Sequence, residues 1–426
     1  MTKGAKIETF GCRLNSWESE VIREHTSHSG FEQMVVINTC AVTAEAERQA
    51  RQLIRKTRRQ SPDAKIVVTG CAAQINPSSW QEMPEVDAVI GNHEKLNADH
   101  WRRLATTNAE TLPSLIGDIM TVREVAPHML GGFDHHSRAF VQIQQGCDHR
   151  CTFCIIPYGR GVSRSVPTPQ VVAQIRKLVE SGVQEVVLTG VDMSSWGHDL
   201  ATDQGDSPVL GQLIGAILRA IPELPRLRLS SLDPAEVDED LRRLIGEEAR
   251  LMPHLHLSVQ HGDALILKRM KRRHSPEDLI RLVDDLRQRR PDVVFGGDII
   301  AGFPTEDNAA HRRSMELIEA LDISWLHIFP YSPREGTPAA KMPAVAAQTI
   351  RERAAAFREL ADRQAQRQMD RMVGQDDEVV METGGVAHTR QFGKVKMLNP
   401  TLKAGQLYPV RILKRSQHFL EAELRT

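Results

Sequence analysis

The 426-residue sequence lacks an apolar run long enough to span a bilayer, and its N-terminus lacks a signal peptide. Both absences predict a cytoplasmic protein, in which thiols stay reduced and disulfides are not expected. The net charge is only −1, so global charge does not indicate a nucleic-acid partner. There is also no convincing Ser/His/Asp group or carboxylate pair for acid–base catalysis. The cysteines are therefore the main candidates for chemistry.

The chain has six cysteines, which fall into two groups of three with none left over. The groups are a compact CxxxCxxC, formed by Cys147, Cys151 and Cys154, and a dispersed set, formed by Cys12, Cys40 and Cys71. Three thiolates can hold a four-iron cluster by three irons and leave the fourth open for chemistry. The spacing therefore predicts two open clusters, although three small core cysteines would also explain the dispersed set.

Strand and helix patterns alternate through the first hundred residues, which predicts a parallel sheet with helices on its faces. Each dispersed cysteine comes one or two residues after a predicted strand. Because ligands of such sheets bind beyond the carboxyl ends of the strands, the three thiols should meet at one edge.

Six further strand patterns, separated by helical ones, predict an incomplete version of the eight-unit β/α barrel. In such barrels, chemistry occurs at the C-terminal ends of the strands, where the CxxxCxxC also lies. Four residues at these predicted ends are candidates for cofactor binding: Gly190, Ser230, Gln260 and Asp298.

The last fifty residues read as five short strands with turns, which predicts a small β-barrel. The fold class is therefore α/β, with an N-terminal parallel sheet, a central open (β/α)6 barrel and a C-terminal small barrel. We place the domains at residues 1–108, 133–364 and 366–426, with a linker over 109–132.

The motifs resemble those of the radical S-adenosylmethionine methylthiotransferases along the whole chain. The resemblance is carried by Gly146 to Gly161, by Thr9 to Asn15, by Asn38 to Thr43 and by Thr69 to Cys71. It implies that 1–108 is the family's N-terminal domain, 133–364 its radical core and 366–426 its RNA-binding TRAM domain. The sequences around Cys12 and Cys40 look like the branch that modifies threonylcarbamoyladenosine in tRNA. One departure is His261, where the family tends to have a small residue.

The resemblance also implies the chemistry. The compact cysteines would hold a 4Fe–4S cluster whose open iron binds S-adenosylmethionine, and reductive cleavage would give a radical that takes hydrogen from carbon 2 of adenine. The dispersed cysteines would hold a second 4Fe–4S cluster, which delivers a methylated sulfur. All six cysteines are thus expected to be catalytic residues and metal ligands. The partners would be the anticodon loop of tRNA, S-adenosylmethionine, and an electron donor and a sulfur source that the sequence does not identify.

Other functions remain open at this point. The substrate could be isopentenyl-adenosine in tRNA or a ribosomal protein, and the chain could also be a non-catalytic, metal-stabilised RNA-binding protein. An electron carrier would be expected to have closed four-cysteine sites. RNA binding is favoured by an acid-free stretch from His388 to His418. Its seven cations are Arg390, Lys394, Lys396, Lys403, Arg411, Lys414 and Arg415.

A threonylcarbamoyl group carries a carboxylate, which a buried pocket must pair with a cation. Arg160, Arg164 and Arg273 are the candidates for that role.

Overall fold

A computed structural model describes residues 4–27, 30–106, 114–123, 138–200, 205–398 and 402–425. The chain divides into two compact units. The first contains the described residues up to 123 together with 144–150 and 154–166, and the second contains 138–143, 151–153 and the described residues from 167 onward.

The first unit is built on a four-stranded parallel sheet in the order β1-β2-β3-β4. Its strands are β1 Lys6–Thr9, β2 Met34–Thr39, β3 Lys65–Gly70 and β4 Ala88–Val89. Its helices are α1 Arg13–His25, α2 Ala44–Gln60, α3 Cys71–Ile75, α4 Ser78–Gln81 and α5 Ala98–Thr106. The unit also contains β6 Gln144–Gln145, α6 Ile156–Arg160 and β7 Arg164–Ser165, and β6 pairs antiparallel with β7.

Strand β2 shows why this sheet is central to the unit. All six of its residues are buried, and successive side chains enter cores on opposite faces. Val35 and Ile37 pack into one core, whereas Met34 and Val36 pack into the other. The described part of the predicted linker, 114–123, continues this sheet, since Leu115 bridges Ile90 in parallel. Residues 109–113 and 124–132 of that linker lie outside the described residues.

The second unit contains the six strands that the sequence predicts for the central barrel, and a short additional strand, β10. The strands are β5 Ala139–Gln142, β8 Glu185–Thr189, β9 Arg226–Leu229, β10 Ser231–Leu232, β11 His254–Gln260, β12 Val294–Ala301 and β13 Trp325–Pro330. They form parallel sheets in the orders β5-β8-β9 and β10-β11-β12-β13. The helices between them are α7 Thr168–Glu180, α8 Leu210–Ala220, α9 Glu239–Glu247, α10 Ala264–Met270, α11 Pro276–Arg289 and α12 Asn308–Ala320.

Helix α13 Ala347–Met372 leads to a closed five-stranded barrel in the order β14-β15-β16-β18-β17. Its strands are β14 Asp376–Met381, β15 Val386–His388, β16 Lys394–Met397, β17 Leu407–Arg415 and β18 Leu420–Leu424. The barrel has its own core, which Met369 and Met372 of α13 complete. The predicted α/β class with a small C-terminal barrel is therefore confirmed. No helix of the described residues is long and apolar enough to cross a bilayer.

Buried ion pairs fasten this terminal barrel to the central strands of the second unit. Glu185, which has no exposed surface, lies 3.0 Å from Arg228, 3.6 Å from Arg226 and 3.8 Å from Arg138. All three arginines reach the barrel. Arg226 also pairs with Glu378 at 3.0 Å and Arg138 with Glu382, while Arg228 donates to the backbone carbonyl of Arg390 at 3.1 Å. The aromatic ring of Phe392 covers the guanidinium groups of Arg138 and Arg228, with the ring centroid 5.2 and 5.0 Å away.

Candidate functional site

The dispersed cysteines lie at the carboxyl edge of the first unit's sheet. Cys40 follows β2 directly, and Cys71 follows β3 as the first residue of α3. Cys12 is the N-cap residue of α1, three positions after the end of β1. Since β1, β2 and β3 are parallel neighbours, the three residues come to the same edge, as the sequence predicts.

The approach of the first loop to Cys40 depends on a glycine. Gly11 has a φ of +100°, and a Cβ at this position would lie 2.8 Å from the Sγ atom of Cys40. Glycine is therefore required both for the left-handed backbone and for the close contact. Cys40 and Cys71 are buried, whereas Cys12 is exposed.

Arg160, at the end of α6, contacts the residues around these thiols. Its Nε donates to the Sγ of Cys71 at 3.1 Å, and its Nη2 donates to the Oδ1 of Asn15. The same Oδ1 accepts a weak hydrogen bond from the thiol of Cys12 at 3.9 Å. Arg160 is only 2% exposed, so its charge acts in a region from which water is excluded.

Glu18 and Lys95 complete the group around Arg160, and both side chains are fully buried. Glu18 accepts from Arg160 through both carboxylate oxygens, and one of these oxygens also accepts from Lys95 at 2.7 Å. Lys95 also donates to Asn92 at 2.7 Å, and the amide of Asn92 lies 3.7 Å from the Sγ of Cys71. Burial acts to raise the pKa of Glu18, but the two cations outweigh it and hold that pKa below its usual value.

The positive charge of this group is centred on Arg160. Glu18 is the carboxylate that pairs with both Arg160 and Lys95. Burial lowers the pKa of Lys95, although Glu18 acts in the opposite direction. The guanidinium of Arg160 also faces Cys71, so a cation lies directly beside that sulfur.

The donor set fits an iron–sulfur cluster. None of the six cysteines is in a disulfide, and thiolates are the ligands that such clusters require. Without a metal, burial and the neighbouring Cys71 raise the pKa of Cys40 to about 12, so its thiol stays protonated. Binding of iron would displace that proton, as metal binding to thiols generally does.

The compact cysteines lie in the loop between β6 and α6. The backbone N–H of Cys147 donates to the carbonyl of Gly161 at 3.1 Å within the first unit. Residues 151–153 pack in the second unit, where Thr152 donates from its backbone to Met270 at 3.0 Å. A guanidinium nitrogen of Arg272 lies 3.7 Å from the Sγ of Cys151, so a cation stands beside this thiol as well.

The four predicted cofactor-binding residues occupy the central strands and their ends. Gly190 directly follows β8, and Ser230 lies between β9 and β10, where its hydroxyl contacts the sulfur of Met193 at 3.4 Å. Gln260 ends β11 with a φ of +64°, an unusual conformation for a residue with a side chain. Its backbone partner on β12 is Ile299, so it lies near Asp298.

Asp298 is engaged by two histidines. One of its oxygens contacts His256 Nε2 at 2.9 Å and His327 Nδ1 at 3.2 Å. Burial acts to raise its pKa, but these two hydrogen bonds outweigh that effect and lower it. The roles of all four residues in cofactor binding stay predictions.

His261, the departure from the family pattern, is a core residue. It is fully buried, its Nδ1 accepts from the backbone of Asp263 at 2.9 Å, and its Nε2 lies 3.5 Å from Glu306. Glu306 in turn accepts hydrogen bonds from Gly302 and Phe303 in the loop after β12. The imidazole therefore supports that loop from within the core.

The arginines that the sequence suggests for pairing with a substrate carboxylate have partners within the protein. Arg160 binds Glu18, and Arg164 donates to backbone carbonyls, including that of Arg160 at 3.0 Å. Arg273 bridges Glu236 and Asp233. The sequence does not reveal that these cations are already paired, and their pairing with a substrate carboxylate stays a prediction.

The acid-free stretch is also less positive in space than in sequence. Four of its seven cations form ion pairs with acids from elsewhere in the chain: Arg390 with Asp377, Arg411 with Asp376, Lys414 with Glu421 and Arg415 with Asp370. Lys394 and Lys403 have no ion pair within the described part of the chain. Lys396 lies over the ring of Phe419, 5.8 Å from its centroid.

Glu18, Lys95 and Asn92 were not predicted from the sequence. A signal for Glu18 was present, since this charged residue shares a helix face with Leu14, Val21 and Ile22. A charge on an apolar face requires a partner. The positions of Lys95 and Asn92 give no comparable signal.

Comparison with protein families gives two matches. Residues 141–318 match the Radical SAM superfamily, and residues 5–91 match a family described as Uncharacterized protein family UPF0004. The first match contains the compact cysteines, and the second contains the dispersed ones.

Curated relatives match over nearly the whole chain. The chain is 48% identical to the threonylcarbamoyladenosine tRNA methylthiotransferase MtaB of Rickettsia prowazekii, covering 98% of this chain and 97% of the relative. It is 35% identical to the protein of the same name from Thermotoga maritima, covering 89% of this chain and 87% of the relative. A tRNA-2-methylthio-N(6)-dimethylallyladenosine synthase of Roseobacter denitrificans is 32% identical, covering 98% and 97%.

A solved structure shares the fold. The radical S-adenosylmethionine methyltransferase TsrM from Kitasatospora setae, with cobalamin and a [4Fe-4S] cluster bound, gives a TM-score of 0.54 at 19% identity. The similarity covers 77% of this chain and 69% of that one.

Proposed function

We propose that this chain, which belongs to the threonylcarbamoyladenosine tRNA methylthiotransferases of the radical S-adenosylmethionine superfamily, converts N6-threonylcarbamoyladenosine beside the anticodon to its 2-methylthio derivative. The substrate is inferred from the difference in sequence identity between this chain and two relatives that cover it equally. The chain is 48% identical to a relative named for this substrate and 32% identical to one named for dimethylallyladenosine. No described feature favours a ribosomal protein or a non-catalytic role.

The superfamily implies a 4Fe–4S cluster and S-adenosylmethionine. The residues proposed to hold this cluster are Cys147, Cys151 and Cys154. When bound, the cluster supplies the electron that cleaves S-adenosylmethionine and so starts the radical reaction. The contribution of the chain itself is to fix the backbone at Cys147 and at Thr152 by hydrogen bonds and to place Arg272 beside Cys151.

A second cluster is proposed at Cys12, Cys40 and Cys71, as the site that delivers the methylated sulfur. The support is their common position at the sheet edge and the positive charge of Arg160 beside Cys71. Gly190, Ser230, Gln260 and Asp298 are proposed to lie around S-adenosylmethionine. Asp298 is hydrogen-bonded to His256 and His327, so its proposed role is to orient these two histidines.

The proposed domains are 1–108, a linker over 109–132, 133–364 and 366–426. We assign tRNA docking to the last of these, in which Lys394 and Lys403 are cations without an ion pair among the described residues. The electron donor and the sulfur source would be separate molecules.

The test is a parallel anaerobic assay on tRNAs that carry either threonylcarbamoyladenosine or isopentenyl-adenosine, with the nucleosides analysed by mass spectrometry. We expect the 2-methylthio product from the first substrate alone. Equal or greater turnover of the second would contradict the substrate while leaving the reaction class intact.

Two cysteine variants serve as matched controls in this assay. Replacing Cys147, Cys151 and Cys154 by alanine should abolish cleavage of S-adenosylmethionine. Replacing Cys12, Cys40 and Cys71 should leave cleavage but abolish the methylthio product. Methylthio product from the second variant would contradict the role of the dispersed cysteines.

A further inference from the structure

We infer that Arg160 is a positioning residue for the group bound at Cys12, Cys40 and Cys71, and that its charge raises the reduction potential of that group. This inference rests on the second cluster under the proposed function. It concerns a residue outside both cysteine groups, which acts on the cluster through the thiol of Cys71.

The first step is the geometry of the guanidinium. Arg160 presents Nε to Cys71 at 3.1 Å and Nη2 to Asn15, the residue beside Cys12, while Nη1 is held by Glu18. The planar fork of arginine fixes these directions together. A lysine could supply the charge at this position but could not make the three contacts at once.

The positive charge lies directly beside a sulfur. Moving an unpaired cation out of water costs several kcal/mol, so buried cations are normally matched by acids. Arg160 and Lys95 are both buried and share the carboxylate of Glu18. Because the guanidinium of Arg160 also donates to the Sγ of Cys71 at 3.1 Å, its charge acts on the group that this sulfur would bind.

The direction of the shift in reduction potential follows from the charge that reduction adds. Reduction adds negative charge to a cluster, so a nearby buried cation stabilises the reduced form, and hydrogen bonds to the sulfurs act in the same direction. Removing the charge of Arg160 should lower the potential. Neutralising Glu18 should raise the potential, because the carboxylate no longer offsets the positive charge of Arg160.

The experiment isolates one cluster by using the full chain with Cys147, Cys151 and Cys154 replaced by alanine. In that background, Arg160→Gln and Glu18→Gln are compared with Arg59→Gln, which makes the same chemical change as Arg160→Gln at an exposed position of α2 in the same unit. Iron content and anaerobic reductive titration, followed in the visible spectrum, give occupancy and potential. We expect a lower potential for Arg160→Gln, a higher one for Glu18→Gln and no change for Arg59→Gln.

The outcomes separate this inference from the proposed function. A background protein that binds no iron would overturn the second cluster and this inference with it. Iron bound normally, with potentials that shift in the same direction or not at all, would overturn the inference alone.

Arg160→Lys covers the case in which Arg160→Gln binds no iron. If the lysine variant keeps iron, the positive charge is what the site requires, which supports the inference. If neither variant binds iron, the arginine acts by its shape, and the role of its charge is refuted.

Discussion

Glu18 in the first unit and Glu185 in the second are both completely buried among cations, but the two groups differ in what they contact. Around Glu185, three arginines meet three carboxylates, since Glu378 and Glu382 of the terminal barrel join the group. Around Glu18, Arg160 and Lys95 share one carboxylate, and Arg160 also donates to the sulfur of Cys71. The first group finds its partners within the protein and holds the barrel. The second includes a sulfur that is a proposed ligand of the second cluster.

The largest effect is expected from Glu185→Gln. The substitution leaves Arg226 and Arg228 buried without their shared carboxylate, which should lower the free energy of unfolding by roughly 3–5 kcal/mol. Urea denaturation followed by tryptophan fluorescence measures this loss. Glu247→Gln, which removes an exposed ion pair with Arg243, is the control and should leave stability unchanged. A loss no larger than that of the control would show that the barrel is held by other contacts.

Glu18→Gln should have a smaller effect that depends on iron. In the iron-free protein, Arg160 and Lys95 would be left buried without a carboxylate, at a cost of about 3 kcal/mol. In the iron-loaded protein, the thiolates would offset part of that charge, so the loss should be smaller. Anaerobic thermal melting with and without reconstituted iron measures the difference, and Glu185→Gln should show none. Equal losses for Glu18→Gln in both states would remove the distinction between the two groups.

The smallest expected effect is on the loss of folding stability at acidic pH. Burial acts to raise the pKa of Glu185, but its arginines outweigh it, so the folded pKa lies below the ordinary value of 4.5. A depressed carboxyl pKa stabilises the protein above the unfolded pKa, and this contribution is lost as the pH falls through the folded pKa. Between about pH 6 and pH 4, the wild type should therefore lose more stability than Glu185→Gln. Parallel urea titrations at the two pH values test this, and equal losses would mean that Glu185 titrates normally.

Local sequence was sufficient to predict the elements and the sheet edge. The β-branched runs and the turns between them define the strands, and parallel strands bring Cys40 and Cys71 to one edge wherever the rest of the chain lies. The small barrel was predictable for the same reason. Strand β16, Lys394–Met397, for example, alternates exposed and buried residues.

Charge pairing was not predictable, because the partners are distant in sequence. Glu18 and Arg160 are 142 residues apart, and Glu18 and Lys95 are 77 apart. The acid-free stretch shows the converse. Its arginines are neutralised across the barrel by Asp376 and Asp377 of β14, which lie outside the stretch. A pattern along the chain reports local composition, whereas the electrostatics of a site depends on the neighbours that the fold provides.

The ion pairs between the terminal barrel and the central strands fix the distance between them. Because Arg226 and Arg138 join Glu185 to barrel residues, the barrel cannot swing away from the central strands without exposing unpaired charges. An RNA bound to the barrel would therefore lie at a fixed distance from those strands. The nucleoside to be modified would then be selected by its distance from the point of attachment, and a flexible tether could not make that selection.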